Sequence, residues 1–162
     1  MIRSVAMSLV YLRDCPEFFP LVARWIWDEW SELLAQKTPE DFEAWFRAGG
    51  RGCGLPTTLV LIEDGEPVGT VSLESDDMDL RPDLTPWLAS LYVVPSHRGH
   101  GFGRKLVRAA EEEARSLGIT RLYLYTPEHE EFYAALGWER FVQCDYRATA
   151  VTVMRRQIKT EA

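Results

Sequence analysis

"LYVVPSHRGHGFGRKLVRAAEEEARSLG", residues 91–118, begins as a run of β-branched and aromatic residues, passes through glycines at 99, 101 and 103, and ends with helical periodicity. It reads as a strand, a glycine loop and an amphipathic helix. The charges along it are inverted. Arg98, Arg104 and Lys105 crowd the start of the helix, where the macrodipole favours acidic residues, while Glu111, Glu112 and Glu113 come later. Unpaired backbone N–H groups at a helix start, glycines that let a bulky group approach and flanking cations together point to a bound anion, with phosphate the natural guest. A tight turn without a ligand is the plainer alternative, and the misplaced cations favour the anion.

Two familiar phosphate loops do not fit. A P-loop needs Gly-Lys-Ser/Thr after Gly and four residues, whereas Arg104 follows those four residues after Gly99 and Leu106 follows Lys105. A dinucleotide fingerprint needs a small residue at Arg104 or Leu106, depending on the frame, and neither is small.

Outward from this stretch, Ser8 to Leu12 reads as a first strand, and Val22, Trp25, Ile26, Trp30 and Leu33 recur at helical spacing. Thr38 as N-cap, Pro39 at the first helical position and Glu40 and Asp41 in the first turn predict a second helix. Two β-rich runs around Asp64-Gly65 form a hairpin. Residues 75–87 are acidic, hold Pro82 and Pro86, and read as a loop leading into the strand "LASLYVV" at 88–94. Downstream come a strand at 121–127, a short helix at 128–137 closed by Gly137 in the left-handed region, and a strand pair over 139–156. This order predicts an α/β (α+β) fold: one mixed, mostly antiparallel central sheet with flanking helices and a right-handed parallel β-α-β crossover.

A chain of 162 residues, 46% hydrophobic, is expected to form a single domain over 1–162. The net charge of -7 speaks against nucleic acid and for cationic partners. "VAMSLVYL" is far shorter than the roughly 20 residues of a membrane span, so no membrane is expected. Cys15, Cys53 and Cys144 lie far apart without a C-x-x-C, which places the chain in a reducing compartment, the cytoplasm. His97, His100 and His129 show no zinc-ligand spacing, so no metal is expected.

"RGHGFG" at 98–103 matches R/Q-x-x-G-x-G/A. With "LYVVP" before Arg98 and "EFYAALGWERF" at 131–141, the chain resembles the GNAT superfamily of acyl-coenzyme A-dependent N-acyltransferases over nearly its whole length. The resemblance implies a GNAT-like fold and acetyl-CoA as cosubstrate. It implies that the loop backbone of Gly99, His100, Gly101, Phe102, Gly103 and Arg104 holds the pyrophosphate, with charge from Arg98, Arg104 and Lys105. It implies that freed N–H and C=O groups of Leu91, Tyr92 and Val93 pair with the pantetheine arm as an added strand would, a backbone N–H near Leu91 polarising the thioester carbonyl. Tyr133 matches the family's general acid, and we expect Phe132 and Leu136 to form the helix's core pair with Tyr133 at the edge of the stripe. Seven positions earlier, where the family commonly has Asn, stands Thr126, counted here as the cofactor contact. His129 is either a substitute polar contact or proton carrier or, as a lone histidine in an exposed first helical turn more often is, simply solvated.

An acceptor amine must lose a proton before attack, which calls for a carboxylate or a water beside one. Glu74 is the first choice, on one strand face with Thr70 and Ser72, and Asp77 and Asp79 are reserves; each alone also reads as part of an ordinary acidic turn. Trp25, Trp27, Trp30 and Trp87 either wall an acceptor cleft or belong to the core. The expected activity is transfer of an acetyl group to a primary amine, on a small cationic molecule or a peptide N-terminus, by direct attack. A homodimer is compatible with this reading. The alternative is a non-catalytic acyl-CoA-binding sensor or assembly module, against which Tyr133 argues.

Overall fold

The structure is a computed structural model that describes residues 6–32, 37–49 and 54–159. Its strands are β1 (Met7–Tyr11), β2 (Thr57–Glu63), β3 (Glu66–Glu74), β4 (Trp87–Val93), β5 (Arg121–Thr126), β6 (Glu139–Tyr146) and β7 (Thr149–Gln157). Its helices are α1 (Phe19–Trp30), α2 (Pro39–Gly49), α3 (Phe102–Ser116) and α4 (Glu130–Ala135). The seven strands pair in the order β1-β2-β3-β4-β5-β7-β6. β4 and β5 are parallel through Trp87 and Tyr123, whereas β1 with β2, β5 with β7 and β6 with β7 run antiparallel. This is the mixed sheet with helices that the sequence pattern predicts. The chain gathers into two compact units: one is the chain up to Ser72 with Ser90–Val107, the other Leu73–Ala89 with the chain from Arg108 onward.

In the first unit, Phe19, Val22, Ala23 and Ile26 fall at helical spacing on α1 and are buried against Phe42 and Phe46 of α2 and Val60 of β2. Leu33, expected to extend this face, lies outside the described residues, as do Cys53 and the glycine after α2. The N-terminus of α2 is a reciprocal cap: Asp41 N–H donates to Thr38 Oγ1 at 3.2 Å and Thr38 N–H to Asp41 Oδ2 at 2.8 Å. Those bonds from Thr38 hold the Asp41 carboxyl below its ordinary range. The β2–β3 turn has Asp64 at φ 49° and Gly65 at φ 85°, the left-handed pair of a two-residue hairpin. β1 stops one residue earlier than expected, because Leu12 begins a 3-10 turn that delivers its side chain to the core. On β3, a Cβ at Gly69 would lie 2.8 Å from Leu106 Cδ1 and 2.9 Å from the Tyr92 carbonyl oxygen, so only glycine permits this approach.

In the second unit, Met78, Leu84, Trp87, Tyr123, Tyr146, Val151 and Val153 share one core cluster. The loop before β4 is therefore packed, with Trp87 Nε1 donating to the Leu84 carbonyl at 2.6 Å. Glu111 on α3 is 4% exposed and not part of a solvated acidic run. Arg108 Nη1 contacts its Oε2 at 2.9 Å and Arg156 pairs with Oε1, which neutralises the buried carboxylate. Gly137 closes α4 at φ 98° with Trp138 N–H donating to the Tyr133 carbonyl, as expected of a left-handed helix cap.

Candidate functional site

The glycine loop belongs to the first unit. Pro95–His97 forms a 3-10 turn, Gly99 and Gly101 sit at φ 81° and 82°, and α3 starts at Phe102. Both glycines adopt a backbone that side chains resist, and no atom lies within 4 Å of where either Cβ would project. The result is an open stretch of backbone at the start of a 15-residue helix. Arg104 and Lys105 are exposed and form no ion pair among the described residues. A phosphate group fits such a cradle on geometry and on charge.

Arg98 behaves differently from the other two cations. Its Nε donates to the Val93 carbonyl at 2.8 Å, its guanidinium carbon lies 5.5 Å from the Tyr92 ring centre, and Nη2 stands 3.8 Å from Glu29 Oε2. The Val93 carbonyl, expected to face the pantetheine arm, accepts this bond from Arg98 with one of its two lone pairs. The cause is chain geometry: the 3-10 turn brings Arg98 back over the strand it has just left. Tyr92 is stacked on Trp25 at 5.3 Å, so that tryptophan serves the core beneath β4, and burial raises the Tyr92 phenol. Within β4, Ser90 has φ 56°. A non-glycine residue in the left-handed region interrupts the pleat, so Trp87–Ala89 and Leu91–Val93 are not one regular strand. Nothing in "LASLYVV" signals this except the small size of the serine.

The carboxylates and Tyr133 lie in the second unit. Glu74 is buried at the end of β3, and Asp77 follows in the loop. Burial pushes the Asp77 carboxyl up to about 7, although the residue keeps some accessible surface. Burial, then the charge of Asp77 and more weakly that of Glu74, raises the Tyr125 phenol. The Tyr125 ring meets Tyr146 edge-on at 5.3 Å and Trp87 at 6.1 Å. Tyr146 is raised by burial and by its hydrogen bond with Asp79, which also lies 3.9 Å from Arg147 Nη2. Glu74, Asp77 and Asp79 are thus electrostatically joined through two tyrosines. Trp87 is fully buried and a core residue.

Tyr133 is 8% exposed, whereas Phe132 is 37% exposed. The expected Phe132–Leu136 core pair is overturned: α4 is under two turns long, and Tyr133 on its inward face and Leu136 at its C-cap are the buried residues, with Trp138 edge-on to Tyr133 at 6.2 Å. Burial raises the Tyr133 phenol, which keeps it protonated throughout the neutral range. Thr126 is buried, and its Oγ1 accepts a 2.9 Å bond from His129 N–H, so it anchors the entry to α4.

The sequence model of the acetyltransferase (GNAT) family matches residues 19–138. The chain belongs to that family. Among solved structures, the Salmonella typhimurium protein yncA, solved with its cofactor acetyl-CoA, superposes with TM-score 0.72 at 22% identity over 97% of this chain and 96% of its own. An N-acetyltransferase from Staphylococcus aureus gives TM-score 0.73 at 16% identity over 97% and 100%. An aminoglycoside 6'-N-acetyltransferase complexed with coenzyme A gives 0.71 at 17% over 97% and 99%. These likenesses establish the fold. The mouse (Mus musculus) protein N-alpha-acetyltransferase 80 is 42% identical over 50 residues, which make up 31% of this chain and 16% of that protein.

Proposed function

We infer that the whole chain acts as one acetyltransferase domain that moves an acetyl group from acetyl-CoA to a primary amine. The observation that carries this reading is the open glycine loop: two left-handed glycines, clear space above both, a helix start, and two cations without ion partners among the described residues. The cosubstrate supplies a thioester, an acyl donor with a good leaving group. The loop backbone and Arg104 and Lys105 bind its phosphates, and Leu91 and Tyr92 offer backbone groups to its amide-rich arm. Support comes from family membership and from structural relatives solved with acetyl-CoA or coenzyme A.

Among this chain's own groups, Tyr133 stands at the position of the family's acid and keeps its O–H near neutrality, which lets it donate a hydrogen bond to the departing sulfur as the proton moves. Asp77, with proton affinity near neutrality, is the better matched base, and Glu74 lies in the same acidic cluster. Both roles need only a proton moved at a carboxylate or phenol oxygen, so no serine or cysteine ester is called for. The carboxylates favour a cationic acceptor. Relatives named for aminoglycoside and for N-alpha acetylation are in keeping with a small polyamine-like molecule or a peptide N-terminus.

The test is thiol release from acetyl-CoA across a panel of aminoglycosides, polyamines and short peptides. Amine-dependent thiol release with matching acetylated product is expected. Tight coenzyme A binding without turnover on any amine would favour a sensor or assembly module instead.

A further inference from the structure

The imidazole of His97 touches three separate parts of the first unit. Nε2 lies 2.9 Å from Glu63 Oε2 at the end of β2. Nδ1 lies 2.8 Å from Ser96 Oγ. The ring stacks on Phe102, the first residue of α3, with centroids 5.9 Å apart and planes at 27°. The phosphate loop leaves the chain at His97 and returns at Phe102, so this stack closes the loop across its two ends.

Glu63 Oε2 is shielded from solvent and has no well-aligned hydrogen-bond donor, which leaves His97 Nε2 as the group that compensates it. Nε2 faces that oxygen at 2.9 Å without the alignment of a hydrogen bond, so the contact between them is electrostatic. Ser96 then serves Nδ1, donating to the neutral ring or accepting from the imidazolium. Both nitrogens are committed, and the remaining ring face is committed to Phe102. An imidazole used up in this way is a fastener, not a ligand.

We propose that His97, anchored by Glu63, is a positioning residue that holds the glycine loop in its phosphate-binding shape and thereby sets cosubstrate affinity without entering the chemical step. This rests on the coenzyme A reading above. A loop with two left-handed glycines has many conformations open to it, and binding must cover the entropy of selecting one. Fixing both ends in advance removes part of that cost. Arg98 and Gly99 directly follow the fastened residue, so any release of His97 reaches the loop first.

The experiment compares the unaltered chain with His97→Ala, Glu63→Ala, the double variant and His97→Gln, whose amide can still donate to Glu63. Coenzyme A affinity is measured by calorimetry, and KM for acetyl-CoA and kcat by thiol release, with thermal unfolding as the check on folding. His97→Ala should weaken coenzyme A binding and raise KM about tenfold with kcat changed less than about twofold, and Glu63→Ala in that background should add little. His97→Gln should recover part of the loss. It also gives the answer if the alanine variant does not fold. Unchanged affinity in the folded variants, additive losses in the double variant, or a fall confined to kcat would overturn the proposal. Failure of the unaltered chain to bind coenzyme A would instead overturn the cofactor reading on which it stands.

Discussion

Arg98 donates from Nε to the carbonyl of Val93, at 2.8 Å, and so ties the phosphate loop back to the strand that leads into it. Its charge is shared with Tyr92 and Glu29, unlike that of Arg104 and Lys105. Arg98→Ala should therefore cost more coenzyme A affinity than Arg104→Ala. Arg98→Lys should not restore it, because an ammonium lacks the planar fork that reaches a carbonyl and a carboxylate together. Calorimetric titration of the three variants decides this, and full rescue by lysine would reduce the role of Arg98 to simple charge.

Gly101→Val places a β-branched side chain at φ 82° and in the open space above the loop. With a left-handed backbone costing about 1–2 kcal/mol, coenzyme A binding should weaken about tenfold or more. Arg104→Ala should weaken it less and flatten its dependence on salt. A folded Gly101→Val chain with normal affinity would remove the loop from the site.

Tyr133→Phe keeps the buried ring and its contact with Trp138 while deleting the hydroxyl. Folding and coenzyme A affinity should survive, with acetyl transfer slowed by roughly ten- to ten-thousandfold. Some activity should persist, since a thiolate with a pKa near 8.5 departs without full protonation at neutral pH. Normal turnover would leave Tyr133 as a core aromatic only.

Asp77 carries a sign that can be worked out. Its carboxyl titrates near 7 in the folded chain against 3.8 for the ordinary group, so between those values the folded state holds the extra proton. Its contribution to stability is then present at low pH and is lost as pH rises through that window. Asp77→Asn should match the unaltered chain in stability below about pH 4 and exceed it above about pH 7, as read by urea unfolding at fixed pH. If Asp77 is the base, the same variant should slow turnover about a hundredfold and lose the rise in rate through neutrality, with partial recovery at high pH. Glu74→Gln with the larger, pH-dependent loss would move the role to Glu74.

Ser90 at φ 56° should tolerate glycine and resist a β-branched residue. Ser90→Val is expected to destabilise the chain by about 1–2 kcal/mol, and Ser90→Gly to stay within about 1 kcal/mol. Equal midpoints in denaturant for the two variants would mean that the kink in β4 is not set by this residue's backbone.

What the sequence disclosed is what depends on neighbours along the chain. Thr38 and Asp41, Asp64 and Gly65, and Gly137 act through bonds spanning a few residues, so their patterns could be read directly. The glycine loop and its cations were legible for the same reason. Contacts across the fold were not. The burial of Glu111 depends on Arg156, 45 residues away, and that of Asp77 on the packing of its loop around Met78, Leu84 and Trp87, and no local spacing in the sequence encodes either. In "EFYAALG", helical periodicity left two adjacent aromatics competing for one inward face, and a helix this short supplies too few turns to separate them. Ser90 offered only its small size, because no local preference demands a left-handed serine in a strand.

Gly69 has no charge, no reactive atom and no place in the loop. Yet a single methyl group there would press at once on Leu106, in the opening turns of α3, and on the carbonyl of Tyr92 in β4, the two segments that flank the glycine loop. The clearance around one hydrogen atom on β3 therefore governs how far apart the loop's two roots stand. A variant at this position would present as poor cosubstrate affinity in a chain whose every phosphate-facing residue is intact, and its origin would lie on a strand outside the loop altogether.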